Sequence, residues 1–225
     1  MNNRIPLVIV GDGEYAQIVY EYFTHDSDYK VSYFFVEKDY ITKDILFNLP
    51  VIALEEIDHY FKPSDGKVFV AVTSVPMNRV RTRIYKMLKE KGYRFASYVS
   101  SKSFVWKNAK IGENSFIFED NTIQYHAEVG NNVVMWSGNH LGHSSVIKDN
   151  CFISSHVVIS GYCTVEENCF LGVNASIADH LTIARDNFIR PGSVILKNTE
   201  VGKIYQGNPA EPSKVDVYRF FKFKD

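Results

Sequence analysis

The side chains of this 225-residue chain best suited to proton transfer recur at intervals of eighteen: Tyr125-His126, His143-Ser144, Gly161-Tyr162 and Asp179-His180. Stacked on one edge, these are three histidines, two tyrosines and an aspartate. An unperturbed imidazole titrates near pH ~6.5, so it both takes and gives a proton at neutral pH. Gly161 in the same column leaves a gap for close approach of a ligand. A solvated corner would also tolerate such residues, but their concentration on one edge favours an acceptor site. His140 lies on a strand and points outward beside His143, which makes it the rival base. His156 falls on a different edge, and His25 and His59 read as surface residues.

The interval of eighteen is three sixes. From Val99 through Leu141 and Ile177 to Val201, every sixth residue is aliphatic. Four residues later the side chain is mostly small, as at Ala109, Ser115, Ala127 and Ser145. A helix would repeat at about 3.6 and a simple strand at about 2. A period of six needs short strands joined by tight corners, with one large and one small residue inward per side. Three sides close a triangle, so the run predicts a parallel β-helix of about six coils, stacked at ~4.8 Å. Cys151, Cys163 and Cys169 take the small inward position and read as buried thiols rather than a disulfide or a metal site. Asn139, one coil above Asn121, predicts an amide ladder inside the coil.

Residues 1–97 have a different pattern. Leu7–Val10, 31–36, 51–52 and 68–72 read as strands. Helices follow at about 15–23, at 55–61 and from Pro76 to Lys91. The first carries Tyr15, Ile18, Val19, Tyr22 and Phe23 on one face; the last has Met77, Val80, Ile84, Met87 and Leu88 inward. Alternating strands and helices predict a small Rossmann-like parallel sheet. Gly11-Asp12-Gly13 after the first strand has the form of a dinucleotide fingerprint, with Glu37 placed to reach a ribose. Under 100 residues cannot supply both halves of a dinucleotide fold, which argues against a nicotinamide dehydrogenase. The glycines serve either a tight turn alone or the phosphates of a smaller nucleotide-linked ligand, and the second reading is preferred.

The net charge of −1 argues against general nucleic-acid or acidic-membrane binding, which needs a basic stripe. No apolar run approaches the ~20 residues of a membrane span, and no signal peptide is legible, so the expected place is the cytoplasm.

The domain order, Gly11-Asp12-Gly13, the uninterrupted repeat and Gly207-Asn208-Pro209-Ala210 after it resemble one family over nearly the whole chain. It is the hexapeptide-repeat N-acetyltransferases of nucleotide-linked amino-deoxy sugars, of the bacillosamine, perosamine and viosamine type, related to sialic-acid O-acetyltransferases. The resemblance implies a left-handed β-helix over 98–204, with a tail (205–225) on the last coil. It also implies a homotrimer with sites between subunits, acetyl-CoA as co-substrate without a metal, and a role in surface glycans such as lipopolysaccharide O-antigen. The sugar nucleotide (UDP-, GDP- or dTDP-linked) would sit on the 1–97 domain through Gly11, Asp12, Gly13, Glu37, Lys38, Asn78 and Arg79, and on Tyr125 and His126. Acetyl-CoA would meet Gly161, Tyr162, Asp179 and His180, with His156 reaching it across the interface and Arg190 and Lys197 at its nucleotide end. In that family a corner histidine is the general base, and His143 matches it by its place in the hexapeptide. The family follows this histidine with a carboxylate, whereas Ser144 stands here.

An amine sheds its proton more readily than a hydroxyl, so one unsupported histidine favours N- over O-acetylation. No nucleophile elbow is present, which implies direct transfer rather than an acyl-enzyme. The competing readings are an O-acetyltransferase acting on sialic acid or another sugar and a non-catalytic assembly scaffold.

Overall fold

The computed structural model describes residues 4–72 and 77–223. The chain divides into two compact units, Met1–Ser74 with Val80–Tyr98, and Val75–Arg79 with Val99–Asp225.

The first unit is a five-stranded sheet. Its strands are β1 (Ile5–Val10), β2 (Tyr29–Val36), β3 (Ile45–Leu46), β4 (Leu49–Ala53) and β5 (Lys67–Val70), in the order β3-β4-β2-β1-β5. All neighbours are parallel except the β3–β4 hairpin. Leu7, Val8, Ile9 and Val10 are buried without alternation, as a parallel strand covered on both faces requires. Helix α1 (Glu14–His25) buries Tyr15, Ala16, Val19 and Phe23. Ile18 and Tyr22, expected on that face, are only half-buried. Helix α2 is a single turn, Ile57–Tyr60, behind a 3-10 turn at Leu54–Glu56.

Helix α3 (Arg79–Glu90) buries Arg81, Thr82, Ile84, Tyr85 and Leu88. Val80 and Met87, expected inward, are half-buried, and a fully buried arginine takes part of their place. Arg81 Nε donates to the Val70 carbonyl at 3.0 Å, and its guanidinium lies over Phe69, 5.7 Å from the ring centroid. The Tyr15 phenol beside it is pushed up to about 12 by burial, with Arg81 opposing. Pro76, expected to open this helix, lies outside the described residues.

The second unit is the β-helix. Two-residue strands pair in parallel with their counterparts eighteen residues on: Thr122 with His140, His140 with Val158, Glu128 with Val146, Val134 with Phe152. The inward aliphatics from Ile117 to Ile195 form one continuous core. The two ends of the period depart from it. Val99 and Val201 are 37 % and 49 % exposed. At the first, the buried neighbour Tyr98 packs against Tyr22 and Phe23 of the first unit and takes no place in the β-helix core. At the second, the final strand pairs Phe188 with Ile204, two residues short of the period, so Tyr205 takes the inward place.

From Asn114 to Gly192 the corners turn through a left-handed residue three positions after the inward aliphatic. Fourteen in succession, from Asn114 to Gly192, have φ between +53° and +78°. Asn, Asp, His and Gly fill twelve of these positions, as the steric cost for other side chains demands.

The three cysteines are buried and free, and their thiols donate to carbonyls one coil on, Cys151 to Glu166 at 3.1 Å. Burial raises the Cys163 and Cys169 thiols above the usual range. Asn121 and Asn139 are inside, but they do not bond amide to amide. Each Oδ1 accepts a main-chain N–H of the next coil, from Asn139 at 3.3 Å and Val157 at 2.7 Å. The amide ladder stands instead on the left-handed position of one corner. Asn114 Nδ2 donates to Asn132 at 2.7 Å, and Asn132 Nδ2 donates to Asn150 at 2.9 Å.

After the repeat, Ile204–Gly207 and Ala210–Pro212 form a hairpin that extends the last sheet. Helix α4 (Val217–Phe221), capped by Asp216, lies on the outer wall. There Phe221 meets Phe188 at 5.4 Å, continuing an outward ladder through Phe170 and Phe152. No helix among the described residues is long and apolar enough to cross a membrane.

Candidate active site

The corner between His140–Leu141 and Val146–Ile147 is fixed from several sides. Leu141 is drawn into the core, and a Cβ on Gly142 would lie 2.5 Å from the Ser160 carbonyl carbon, so the turn lies flat on the coil above. Ser145 points inward, donating to the Ser160 carbonyl at 2.7 Å and accepting from the Cys163 N–H at 2.9 Å. Between these anchors the His143 N–H donates to Gln124 Oε1 at 2.9 Å, and its carbonyl accepts from the Tyr162 N–H at 3.0 Å. The backbone of His143 is therefore rigid while its side chain stands in solvent.

The imidazole lies over Gly161. A Cβ there would come within 2.8 Å of ring Cε1 and Nε2. Tyr162 meets the same ring edge-to-face at 4.9 Å and 87°, and its other neighbour is His180, stacked at 4.8 Å and 25°. His180 Nδ1 lies 2.9 Å from Asp179 Oδ2. The structure thus brings His143, Gly161, Tyr162, Asp179 and His180 into one column. Tyr125 and His126, in contact with each other at 4.1 Å, stand one coil below. Among the described residues no group hydrogen-bonds the His143 ring nitrogens, and the Gly161 N–H has no partner either. The resulting edge offers a base beside a main-chain donor, which suits attack on a carbonyl.

Three of the other histidines have a structural explanation that spacing alone did not bring out. His126, His156 and His180 all sit at the left-handed position, at φ +55°, +59° and +61°, where histidine is among the favoured residues. His143 sits one residue earlier and has no such explanation. His140 lies on the flat face between Thr122 and Val158. His156 is on another corner, its ring over Gly138, whose added Cβ would be 2.5 Å from Nδ1. Gln124, which holds the His143 main chain, escaped the sequence reading because its hexapeptide position carries no fixed residue type.

The remaining candidates are dispersed. Arg190 pairs with Gln206 at 2.7 Å, and Lys197 with Glu211 at 3.4 Å. Asn78 is buried, with Nδ2 on the Asn150 carbonyl at 2.8 Å; Arg79 is paired with Asp186 at 2.6 Å. Both side chains are committed to holding the second unit's amide corner. In the first unit, a Cβ on Gly11 (φ +120°) would lie 2.5 Å from the Ala71 carbonyl oxygen, so close strand approach alone requires that glycine. Gly13 begins α1 with open space around it and no side-chain cap. Asp12 lies 3.5 Å from Lys43, Glu37 pairs with Arg83 at 2.8 Å, and the Lys38 N–H donates to Glu55 at 3.2 Å. These groups line the carboxyl ends of β1 and β2, where open α/β sheets bind ligands. Among the described residues no group of three metal-ligating side chains is placed to hold an ion.

No protein-family model matches the chain, and no curated protein does. Solved structures do. A variant of perosamine N-acetyltransferase from Caulobacter crescentus, solved with CoA and GDP-perosamine, superposes with a TM-score of 0.84 at 19 % identity, over 93 % of this chain and 97 % of that one. The acetyltransferase domain of PglB from Neisseria gonorrhoeae gives 0.83 at 21 % identity, over 93 % and 100 %. WeeI from Acinetobacter baumannii gives 0.76 at 20 % identity, over 92 % and 99 %. At these identities the likeness establishes the fold: the chain joins a small Rossmann-like sheet to a left-handed parallel β-helix, as these proteins do.

Proposed function

We propose that the chain transfers the acetyl group of acetyl-CoA to the amine of a nucleotide-linked amino-deoxy sugar, a 4-amino-4,6-dideoxy sugar by preference. The work would be done in the cytoplasm for surface-glycan synthesis such as O-antigen, by a homotrimer with sites between subunits. One observation carries the reading. An exposed, unpaired imidazole, His143, lies directly over Gly161, whose N–H is also unpaired among the described residues. The fold supports it, since a structural neighbour that is a perosamine N-acetyltransferase was solved with CoA and GDP-perosamine.

In this mechanism the sugar amine attacks the thioester carbonyl and His143 takes the amine proton. The Gly161 N–H faces the developing oxyanion, and CoA leaves as the thiolate. Gly11, Asp12 and Gly13 hold the nucleotide phosphates, with Glu37 and Lys38 beside them.

Thiol release from acetyl-CoA, measured against UDP-, GDP- and dTDP-linked amino sugars, tests the proposal. Turnover with one of them, reduced about a hundredfold or more in His143→Ala, is expected. Turnover unchanged in that variant but lost in His140→Ala would move the base. Release only with sialic acid or another hydroxyl acceptor would replace N- by O-acetylation. No release with any acceptor would leave a scaffold.

A further inference from the structure

Nothing in the chain supplies His143 with a carboxylate at hydrogen-bonding distance among the described residues. A base whose ring turns freely presents the wrong nitrogen for much of the time. We propose that Tyr162 is the positioning residue that takes the carboxylate's place, fixing the His143 ring by packing rather than by a hydrogen bond. The inference rests on the reading of His143 as the base.

Tyr162 occupies a left-handed position at φ +56°. The other thirteen such positions from Asn114 to Gly192 hold Asn, Asp, His, Gly or Ser, residues to which that conformation costs little. A phenol ring there opposes the local backbone preference and requires another justification. Its own packing does not supply one, because Tyr162 is 55 % exposed. What it does touch is the imidazole, edge-to-face at 4.9 Å. Gly161 next to it leaves a seat just deep enough for that imidazole, since any Cβ would strike ring Nε2 at 2.8 Å. Tyr162 is itself held from the far side by His180, at 4.8 Å, and His180 by Asp179, at 2.9 Å. An aspartate thus stands two rings behind the base, through one stacked and one edge-to-face contact.

The test combines kinetics with NMR of histidine-labelled protein, the His143 signals being assigned by their loss in His143→Ala. Wild-type His143 ring protons should be shifted by the tyrosine ring current and show cross-peaks to Tyr162. Tyr162→Phe keeps the ring and should keep both the shift and kcat within about twofold. Tyr162→Asn suits the left-handed turn better and should fold at least as well. It should lose the shift and lower kcat roughly ten- to a hundredfold. Unchanged kcat in Tyr162→Asn, or wild-type His143 signals free of any ring-current shift, would overturn the proposal. A clear wild-type shift in a protein that acetylates nothing would sink the assigned reaction and leave the clamp standing.

Discussion

Asn132 and Tyr162 occupy the same left-handed position of the repeat, at φ +57° and +56°, on two different corners. Around Asn132 the column is buried and bonded amide to amide from Asn114 to Asn150, and at its far end Asp186 accepts from Arg79 at 2.6 Å and from Tyr218 at 3.2 Å. Around Tyr162 the column is made of rings that stand in solvent and touch by stacking. One backbone turn therefore serves either to lock coils together or to present a surface, depending on whether the side chain's polar groups are satisfied within the column. The difference teaches that residue type at a corner identifies a site only after the turn's own demand for Asn, Asp, Gly and His has been subtracted.

The largest expected effect is on the buried corner. Asn132→Leu leaves the Asn114 Nδ2 and the Asn150 Oδ1 without these partners and places a branched side chain at positive φ. It should cost about 4 kcal/mol in urea unfolding while the folded fraction keeps its activity. A loss below about 1 kcal/mol would erase the contrast between the corners. Next comes alkaline titration, which separates both corners from the first unit. An ordinary phenol loses its proton near 10.0, and buried Tyr15 only near 12, so the unfolded chain deprotonates first. Stability should be complete below pH 10 and fall as pH rises towards 12, by up to about 3 kcal/mol. Tyr93 is pushed in the same direction by burial and its bond to Asp58. Tyr15→Phe should make the fall shallower, and an unchanged slope would refute the assignment. Asp186→Ala, which frees Arg79, should cost about 2 kcal/mol, again read by denaturant midpoint. The smallest effect belongs to the open corner. His126→Asn should move the melting temperature little, corresponding to less than about 0.5 kcal/mol, because one tolerated left-handed residue replaces another. A large loss would show that the rings hold the coils together.

Much of this was legible in the spacing. A β-helix repeats its backbone, so an interval of eighteen residues is also a spatial neighbour, and the column from Tyr125 to His180 followed from counting. Four strands of the five-stranded sheet were legible, from the apolar runs at Leu7–Val10, 31–36, 51–52 and 68–72, whereas the two residues of β3, Ile45–Leu46, are too few to leave a pattern. Arg81 was not, because its burial depends on the Val70 carbonyl and the Phe69 ring, neither of which leaves a periodic trace. Asn78 and Arg79 were read as ligand-facing, whereas the structure pairs them with Asn150 and Asp186, 72 and 107 residues away, at separations that leave no periodic trace. The amide ladder was expected at Asn121 and Asn139, but the main chain of the next coil reaches those oxygens first. His126, His156 and His180 also answer a demand of the turn, which shows only in the sign of φ.

Up to Ile195, the pairing of coil strands with those eighteen residues on sets how the chain can change length. Gain or loss of eighteen residues adds or removes a storey and leaves every edge where it was. Loss of six downstream of His143 and before Gly161 turns all later storeys by one side of the triangle. Glu167 and Asn168 would then stand above His143 in place of Gly161 and Tyr162, with the core aliphatics still facing inward. Such a protein would fold with the base intact and its neighbours exchanged, so the repeat protects the fold against small deletions without protecting the site.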